Sequence, residues 1–163
     1  MTNINTIIAV IAMSLTGAAA CDPADAAAGT AERATAQQEV LAVEHLAEQS
    51  FDAGDIDVHM GLWAEGPIEF TSPFGSFTAA DEYEAWLAGF FDYTQQMGGT
   101  RHHVINPIVQ LTDDGAEVTA YLHVVNRGDG SFMGSSVIRD RLVETPEGWR
   151  FTARSVEPDQ KVP

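Results

Sequence analysis

The sequence predicts an α+β fold in which helices come first and consecutive antiparallel strands follow. Apolar residues recur at helical spacing between residues 37 and 97, up to a "GG" pair. The rest of the chain contains strand-like segments separated by "TDDGA", "RGDG" and "TPEG", which are typical of hairpin turns. Because no helix separates these strands, we expect an antiparallel sheet rather than βαβ units.

The first twenty residues have the layout of an export signal. They carry no charged side chain, and small residues lead from the apolar run Ile7–Leu15 to Cys21. The segment "LTGAAACD" resembles the cleavage box of bacterial lipoproteins, in which the cysteine becomes the lipidated first residue. We therefore expect an exported protein, periplasmic or in the cell envelope if Cys21 is lipidated. A signal cut after Ala20 would instead give a secreted protein, and an unprocessed N-terminus is the third alternative.

Charge and cysteine content narrow the range of partners. The chain has 24 acidic and 8 basic residues, a formal net charge of −16, and one cysteine. A surface this acidic disfavours nucleic acid and anionic lipid headgroups. We therefore expect no nucleic-acid partner, and membrane attachment only through a lipid anchor on Cys21. A single cysteine also excludes an internal disulfide.

The expected organisation is a tether, one domain and a tail. Residues 21–36 are small, polar and without pattern, which favours a flexible tether. The domain covers residues 37–157, and residues 158–163 form the tail. Within the domain, the first helical pattern ends at Gly54, a residue suited to a helix C-terminus. Asp55 is then placed to cap a second, short helix.

The remaining elements follow from composition and turns. The stretch "GPIEFTSPFGSFTA" is rich in Gly, Pro and Phe and predicts a short strand or hairpin. Asp81 begins a third helix with a broad apolar face that includes Trp86, Phe90 and Phe91. The predicted long strands are Thr100 to Leu111, Glu117 to Asn126, Phe132 to Thr145 and Trp149 to Val156.

The order of these elements resembles the nuclear-transport-factor-2-like superfamily, close to its SnoaL-like domains. The resemblance covers roughly Gln37 to Val156 and is carried by "SFDAGDID", "TRHHVINPIV", "AYLHVV" and "RDRLVETPEGWRF". It implies a cone in which a curved antiparallel sheet wraps around helices and leaves an apolar cavity at its open end. Such cones commonly dimerise through the outer face of the sheet, so the resemblance also implies a homodimer.

The nearest local likeness is to the scytalone-dehydratase-like group. In that group a catalytic carboxylate follows an aromatic residue at the end of the first helix, which here matches Phe51 and Asp52. The aromatic residue is normally a tyrosine, so Phe51 lacks the phenol that would polarise a carbonyl. A histidine at the start of the first long strand, in "T-x-H", matches His102.

The two adjacent histidines must face opposite sides of their strand. Alternation places His102 with Val104 and Asn106, and His103 with Ile105. Apolar content does not decide which face is internal, whereas the resemblance selects His102 as the cavity residue. The alternative is a hydrogen-bonded core histidine without a role in function.

Asp52 occupies an unfavourable position, because the helix macrodipole disfavours a carboxylate in the last turn by ~0.5 kcal/mol. A partner in the cavity, such as His102, would explain it; an exposed turn residue in "DAGD" is the alternative. A carboxylate–imidazole pair titrates near neutrality and can move a proton at a carbon next to a carbonyl. That step is shared by isomerisation, dehydration and aldol cyclisation.

Asp140 is a second candidate acid. It lies between Ile138 and Leu142 on one strand face, so desolvation should raise the pKa of its carboxyl. The alternative is an ion pair across the sheet with Arg154 or Arg150.

Several apolar and polar side chains are candidates for contact with a ligand, although each could equally be ordinary core. They are Phe51, Trp63, Phe90, Val104, Tyr121 and His123. No H-x-x-x-H or H-E-x-x-H pair, phosphate-binding glycine loop or G-x-S-x-G motif is present, so we expect neither a metal nor another cofactor.

Two hypotheses about function remain open. The first is a cofactor-free lyase, isomerase or cyclase that acts on a small apolar or carbonyl-containing molecule through Asp52 and His102. The second is an exported module of the same fold that binds a ligand or assembles with partners without catalysis.

Overall fold

The computed structural model describes the backbone of residues 23–159 and the side chains of residues 28–159. The proposed export signal and Cys21 therefore lie outside the described residues, as do residues 160–163 of the expected tail. The described part is a single α+β unit with three helices and a curved six-stranded sheet, so the predicted fold class is confirmed. Among its helices, none is both long and apolar enough to cross a membrane.

The first helix is longer than the sequence pattern suggested. Helix α1 spans Pro23–Ala53, so the segment expected to be a flexible tether is helical from residue 23 onward. Alanine is the strongest helix former, and this segment is rich in alanine, with Glu32 and Arg33 adding good helix formers. Intrinsic propensity was therefore the relevant signal where apolar periodicity was missing.

The second helix follows its predicted cap closely, and the third begins at Ala80 rather than at Asp81. After α1, Gly54 adopts a φ of +69°, the left-handed conformation that ends many helices. Helix α2 spans Ile56–Met60, and the Asp55 carboxylate accepts a hydrogen bond from the Val58 backbone N–H at 3.1 Å. Helix α3 spans Ala80–Gln96.

The sheet has the strand order β2-β1-β6-β5-β4-β3. A parallel pairing joins β1 to β6, and every other neighbouring pair is antiparallel. The predicted ends of the long strands agree with the structure within two residues. The strands are β1 Glu69–Ser72, β2 Gly75–Phe77, β3 Thr100–Thr112, β4 Gly115–Asn126, β5 Phe132–Thr145 and β6 Gly148–Pro158.

A bulge in β3 interrupts the predicted alternation. Ile105 pairs with Tyr121 and Ile108 pairs with Thr119, so two residues of β3 lie opposite one residue of β4. Asn106 is one of the two and has a φ of +51°, while its neighbour Pro107 has no N–H to give to the ladder. The bulge exposes Asn106, so the expectation that it shares a face with His102 is wrong.

The core lies between α1, α3 and the inner face of the sheet. On β4, Val118, Ala120 and Leu122 are buried, whereas the residues between them point outward. At the end of the sheet where β6 begins, the core contains the side chains of Trp149 and Phe151. The opposite end is less completely filled, and there the helices and the β1–β2 hairpin surround a cavity.

Candidate functional site

A cavity with mainly aromatic walls opens at one end of the sheet. Its space is about 650 Å³, including the part at the mouth that is open to solvent. The polar side chains on its wall are grouped rather than scattered; they are Glu48, His59, Ser72, Tyr83, His102, Ser136 and Arg154. The apolar wall is formed by Phe51, Phe70, Pro73, Phe74, Trp86, Phe90, Leu122, Val124 and Val156.

The structure brings Asp52 and His102 into direct contact at the wall of this cavity. Asp52 Oδ1 lies 2.6 Å from His102 Nδ1, and Asp52 Oδ2 accepts the His102 backbone N–H at 2.8 Å. The Thr100 hydroxyl also donates to Asp52, at 3.3 Å. These three donors compensate a carboxylate that is 8% exposed in the last turn of a helix.

The hydrogen bond fixes which nitrogen of His102 is available. Because the Asp52 carboxylate only accepts, Nδ1 carries the proton in the neutral ring, and Nε2 is left without a partner among the described residues. Burial alone would lower the pKa of His102, but the bond to Asp52 and the charges of Glu48 and Asp52 outweigh burial and raise it. The Phe51 ring packs edge-on against the imidazole at 5.0 Å between centroids.

A buried ionic cluster borders the Asp52–His102 pair. Arg154 is 5% exposed and donates to both oxygens of Asp140, with Nε and Nη2, at 3.0 and 2.9 Å. Its Nη1 donates to Glu48 at 2.8 Å and its Nη2 to Glu44 at 2.7 Å. Sequence reasoning named the Asp140–Arg154 pair as an alternative but missed Glu44 and Glu48, although Glu44, Glu48 and Asp52 recur every four residues among the apolar positions of α1.

Three carboxylates around one guanidinium cannot all be stabilised as anions. Burial raises the pKa of Glu44 well above its usual value, and the charge of Asp140 raises it further, while Arg154 opposes both effects. Burial also raises the pKa of Asp140, which its contacts with Arg154 oppose. Glu44 Oε1 is buried without a hydrogen-bond partner among the described residues. Burial and the neighbouring Asp140 therefore both favour the protonated form of Glu44.

A second buried histidine joins α2 to α3. His59 Nδ1 lies 3.2 Å from the Ala47 carbonyl oxygen, which can only accept, so Nδ1 carries the proton. Nε2 then accepts the Tyr83 hydroxyl at 3.1 Å. Burial, assisted by the charge of Arg154, lowers the pKa of His59 to about 4. The imidazole is thus neutral, and the Tyr83 hydroxyl is committed as its donor.

The predicted ligand contacts are divided between the cavity and other places. Phe51 and Phe90 line the cavity. Trp63 does not, because it packs in the core against the rings of Phe70, Tyr83 and Phe151. Val104 does not line the cavity and packs instead against the small cluster formed by Ala120, Leu122 and Ile138.

The expectation that Tyr121 and His123 line the cavity is wrong. Since Leu122 and Val124 of β4 point inward, Tyr121 and His123 point to the outer face. Tyr121 is 46% exposed, and the His123 ring packs against Phe132 at 5.6 Å.

Asp140 is desolvated as predicted, but it does not line the cavity. Both of its oxygens accept hydrogen bonds from Arg154, so the alternative of an ion pair with Arg154 describes its environment. A carboxylate held in this way stabilises Arg154 and does not meet a ligand in the cavity. Its predicted role as an acid facing a substrate is therefore not supported.

The described side chains also bear on metal binding. Within residues 28–159, no group of three or more His, Cys, Asp and Glu side chains is arranged to hold a metal ion. The carboxylates that come closest together are those around Arg154, where a cation is already provided by the protein.

Solved structures share this architecture. A protein of unknown function with a cystatin-like fold from Nostoc punctiforme is 25% identical, with a TM-score of 0.68, over 78% of this chain and 93% of that one. A nuclear-transport-factor-2-like protein from Novosphingobium aromaticivorans is 20% identical, with a TM-score of 0.73, over 87% and 93%. A candidate scytalone dehydratase from the same organism is 18% identical, with a TM-score of 0.67, over 80% and 89%.

These last two identities are low enough that the likeness describes the fold alone. None of the curated proteins matches this chain. The family model of the SnoaL-like domain, however, matches residues 32–155, which is most of the sequence. The chain therefore belongs to the SnoaL-like domain family.

Proposed function

We propose that this protein is a cofactor-free enzyme that moves a proton at a carbon next to a carbonyl group. The observation that carries the proposal is the 2.6 Å contact between Asp52 and His102 at the wall of an aromatic cavity. Isomerisation, dehydration and aldol cyclisation all begin with this proton transfer. The family contributes the fold, and the choice among these reactions rests on the substrate.

In the proposed reaction His102 Nε2 is the base. It takes a proton from the carbon next to the carbonyl, and the electrons of the broken C–H bond form an enolate. Asp52 stabilises the resulting imidazolium through the bond to Nδ1. The same nitrogen then returns the proton to another carbon, which gives an isomer, or to a leaving hydroxyl, which gives a dehydration product and water.

A neutral donor for the carbonyl oxygen is needed as well. Ser136 lines the cavity, and its hydroxyl has no hydrogen-bond partner among the described residues. We assign the carbonyl oxygen to this hydroxyl in the proposed complex. Preorganised donors of this kind stabilise the charge that develops on the oxygen in the transition state.

One observation favours the second candidate function, a module that binds an apolar ligand without catalysis. Phe51 has no hydroxyl, and the Tyr83 hydroxyl is already donated to His59. No phenol is thus free to polarise a carbonyl among the side chains described around the cavity.

Deuterium exchange distinguishes the two functions without knowledge of the natural substrate. The full-length protein is incubated in D₂O with a panel of neutral bicyclic ketones, and exchange at the carbon next to the carbonyl is followed by NMR. An enzyme is expected to accelerate exchange of at least one ketone at least 100-fold, and His102→Gln to abolish the acceleration. His103→Gln is the matched control, since His103 is exposed on the opposite face of β3. Binding of the ketones without exchange would overturn the catalytic proposal in favour of the binding module.

Export and dimerisation complete the proposal. We propose that the protein is exported, as a lipoprotein if Cys21 is modified and as a secreted protein otherwise. We also propose a homodimer formed through the outer face of the sheet. This face carries exposed large apolar side chains that a partner would cover, namely Ile108, Tyr121 and Phe132.

A further inference from the structure

Glu48 is the carboxylate of the ionic cluster that reaches the cavity. It is 6% exposed, it lines the cavity, and Arg154 occupies only its Oε1. Oε2 receives no hydrogen bond from the described residues. Along α1 it lies one turn from Glu44 on one side and one turn from Asp52 on the other. A carboxylate oxygen at a cavity wall that receives no hydrogen bond from the protein is a group that a ligand can satisfy.

The charges around the cavity do not leave a site for an anion. Three carboxyl groups contact the single cation Arg154, so this cluster offers no uncompensated positive charge to a ligand. Asp52 and His102 together add zero charge when the imidazole is protonated and one more negative charge when it is not. Arg101 is the other cation near Asp52, at 3.9 Å, but its side chain is 56% exposed.

Arg154 cannot act as a receptor for an anionic ligand, although it also lines the cavity. Its four hydrogen bonds go to three carboxyl groups of its own chain. The Tyr83 hydroxyl is committed as a donor to His59, so it offers only lone pairs to a ligand. Glu48 Oε2 and the Tyr83 oxygen are therefore two acceptors on the same wall.

We propose that Glu48 determines the substrate class of this site: the cavity takes a neutral or cationic aromatic compound whose hydroxyl or ammonium group donates to Glu48 Oε2, and it rejects carboxylates. The proposal deepens the proposed function and rests on it, because the reacting end of the substrate would lie at His102. It implies that the substrate is a hydroxylated or amino-substituted carbonyl compound rather than a keto acid. Its polar group would lie between Arg154 and His102, with its ring against Phe51 and Phe90.

Three probes with the same ring system test the selection. They are 2-naphthylmethanol, 2-naphthylmethylammonium and 2-naphthoate, whose dissociation constants for the full-length protein are measured at pH 7 by titration calorimetry. We expect 2-naphthoate to bind at least tenfold more weakly than 2-naphthylmethanol. In Glu48→Gln the difference should shrink to less than threefold, because the negative charge is lost while the shape is kept. Wild type should bind the ammonium probe more tightly than the alcohol, and this preference should be smaller in Glu48→Gln.

Two matched variants separate the local effect from the overall charge. Glu84→Gln on the exposed face of α3 changes the net charge of the protein by the same amount and should leave the tenfold difference unchanged. Glu44→Gln changes a carboxyl group of the same cluster that does not line the cavity, and it should leave the difference unchanged as well. A loss of discrimination in Glu84→Gln would overturn the role of Glu48.

The proposal is also overturned if wild type binds 2-naphthoate as tightly as the alcohol, or if neither of them binds. The comparison of probes on wild-type protein alone provides this result even if Glu48→Gln does not fold. His102→Gln distinguishes this inference from the proposed reaction. It should abolish deuterium exchange but retain the discrimination among the probes, since the discrimination depends on Glu48.

Discussion

Asp52 holds His102 at two points, because one carboxylate oxygen accepts the imidazole N–H and the other accepts the backbone N–H of the same residue. The side chain is therefore fixed relative to its own strand, and helix α1 is fixed relative to β3. A ring oriented in this way keeps Nε2 directed away from the helix without a further partner. The arrangement gives the proposed base a defined direction before any ligand arrives.

Replacement of Asp52 by asparagine should lower the pKa of His102. The bond to Asp52 is the largest of the effects that raise this pKa, and burial, which lowers it, would remain. The expected shift is measured by NMR titration of the imidazole in wild type and in Asp52→Asn. An unchanged pKa of His102 would contradict the functional importance of the pair.

The buried His59 should make the protein less stable in acid. The pKa of His59 is about 4 in the folded protein, against an ordinary value of 6.5 in the unfolded chain. Between these values the unfolded state binds more protons, so the free energy of unfolding decreases as the pH falls from 6.5 towards 4. The contribution of this residue amounts to about 3 kcal/mol.

The contribution of His59 is isolated by comparison with a variant. The free energy of unfolding of wild type and His59→Gln is measured by urea denaturation between pH 4 and 7. It should depend less steeply on pH in the variant. His103→Gln should keep the slope of wild type because that side chain is exposed. Equal slopes for wild type and His59→Gln would show that the folded protein binds a proton at His59 as readily as the unfolded chain.

Removal of Arg154 should destabilise the fold strongly. Arg154→Met leaves Asp140 and Glu48 buried without a cation, and loss of one partner of a buried pair costs about 3–5 kcal/mol. Arg139→Met is the matched control, since its ion pair with Glu157 is exposed and such pairs contribute less than about 1 kcal/mol. Chemical denaturation measures both. The double variant Arg154→Met/Asp140→Asn should recover part of the loss, and an Arg154→Met variant as stable as Arg139→Met would refute the prediction.

Dimerisation through the outer sheet face predicts a particular sensitivity. Phe132 is 62% exposed on that face, and Phe132→Ser should weaken self-association at least tenfold in sedimentation experiments at micromolar concentration. Tyr93→Ser provides the control, because Tyr93 is 55% exposed on α3 rather than on the sheet. A monomeric wild-type protein at these concentrations would remove the basis for the prediction.

Local signals in the sequence predicted the strands better than the start of the first helix. The glycines of the turns mark where each strand ends, and Gly115 illustrates why: a Cβ at this position would lie 2.1 Å from the Leu142 carbonyl oxygen. The beginning of α1 is rich in alanine and lacks the apolar periodicity from which the rest of the helix was predicted.

The residues of the site that lie in recognisable local motifs could be predicted from the sequence. Residues that come together only in the folded chain could not. The likeness around Phe51 and in "T-x-H" identified Asp52 and His102, which the structure brings together. The Arg154 cluster joins α1, β5 and β6. Its pair with Asp140 was one of the alternatives from the sequence, but no local pattern predicts that Glu44 and Glu48 meet them. The orientation of Tyr121 and His123 required the pairing of β3 with β4, in which His102 lies opposite Val124. Val124 and its alternate neighbour Leu122 share the cavity face, which sends Tyr121 and His123 outward.

The bulge at Asn106 and Pro107 divides β3 into two parts that make different contacts. Before the bulge His102 lines the cavity, whereas beyond it Val109 and Leu111 pack against the main core. The bulge interrupts the regular pairing between these two parts. Small changes of backbone position in the first part therefore need not be transmitted to the second. Evolution, or a protein engineer, can therefore retune what the pocket accepts while the scaffold beneath stays as it is.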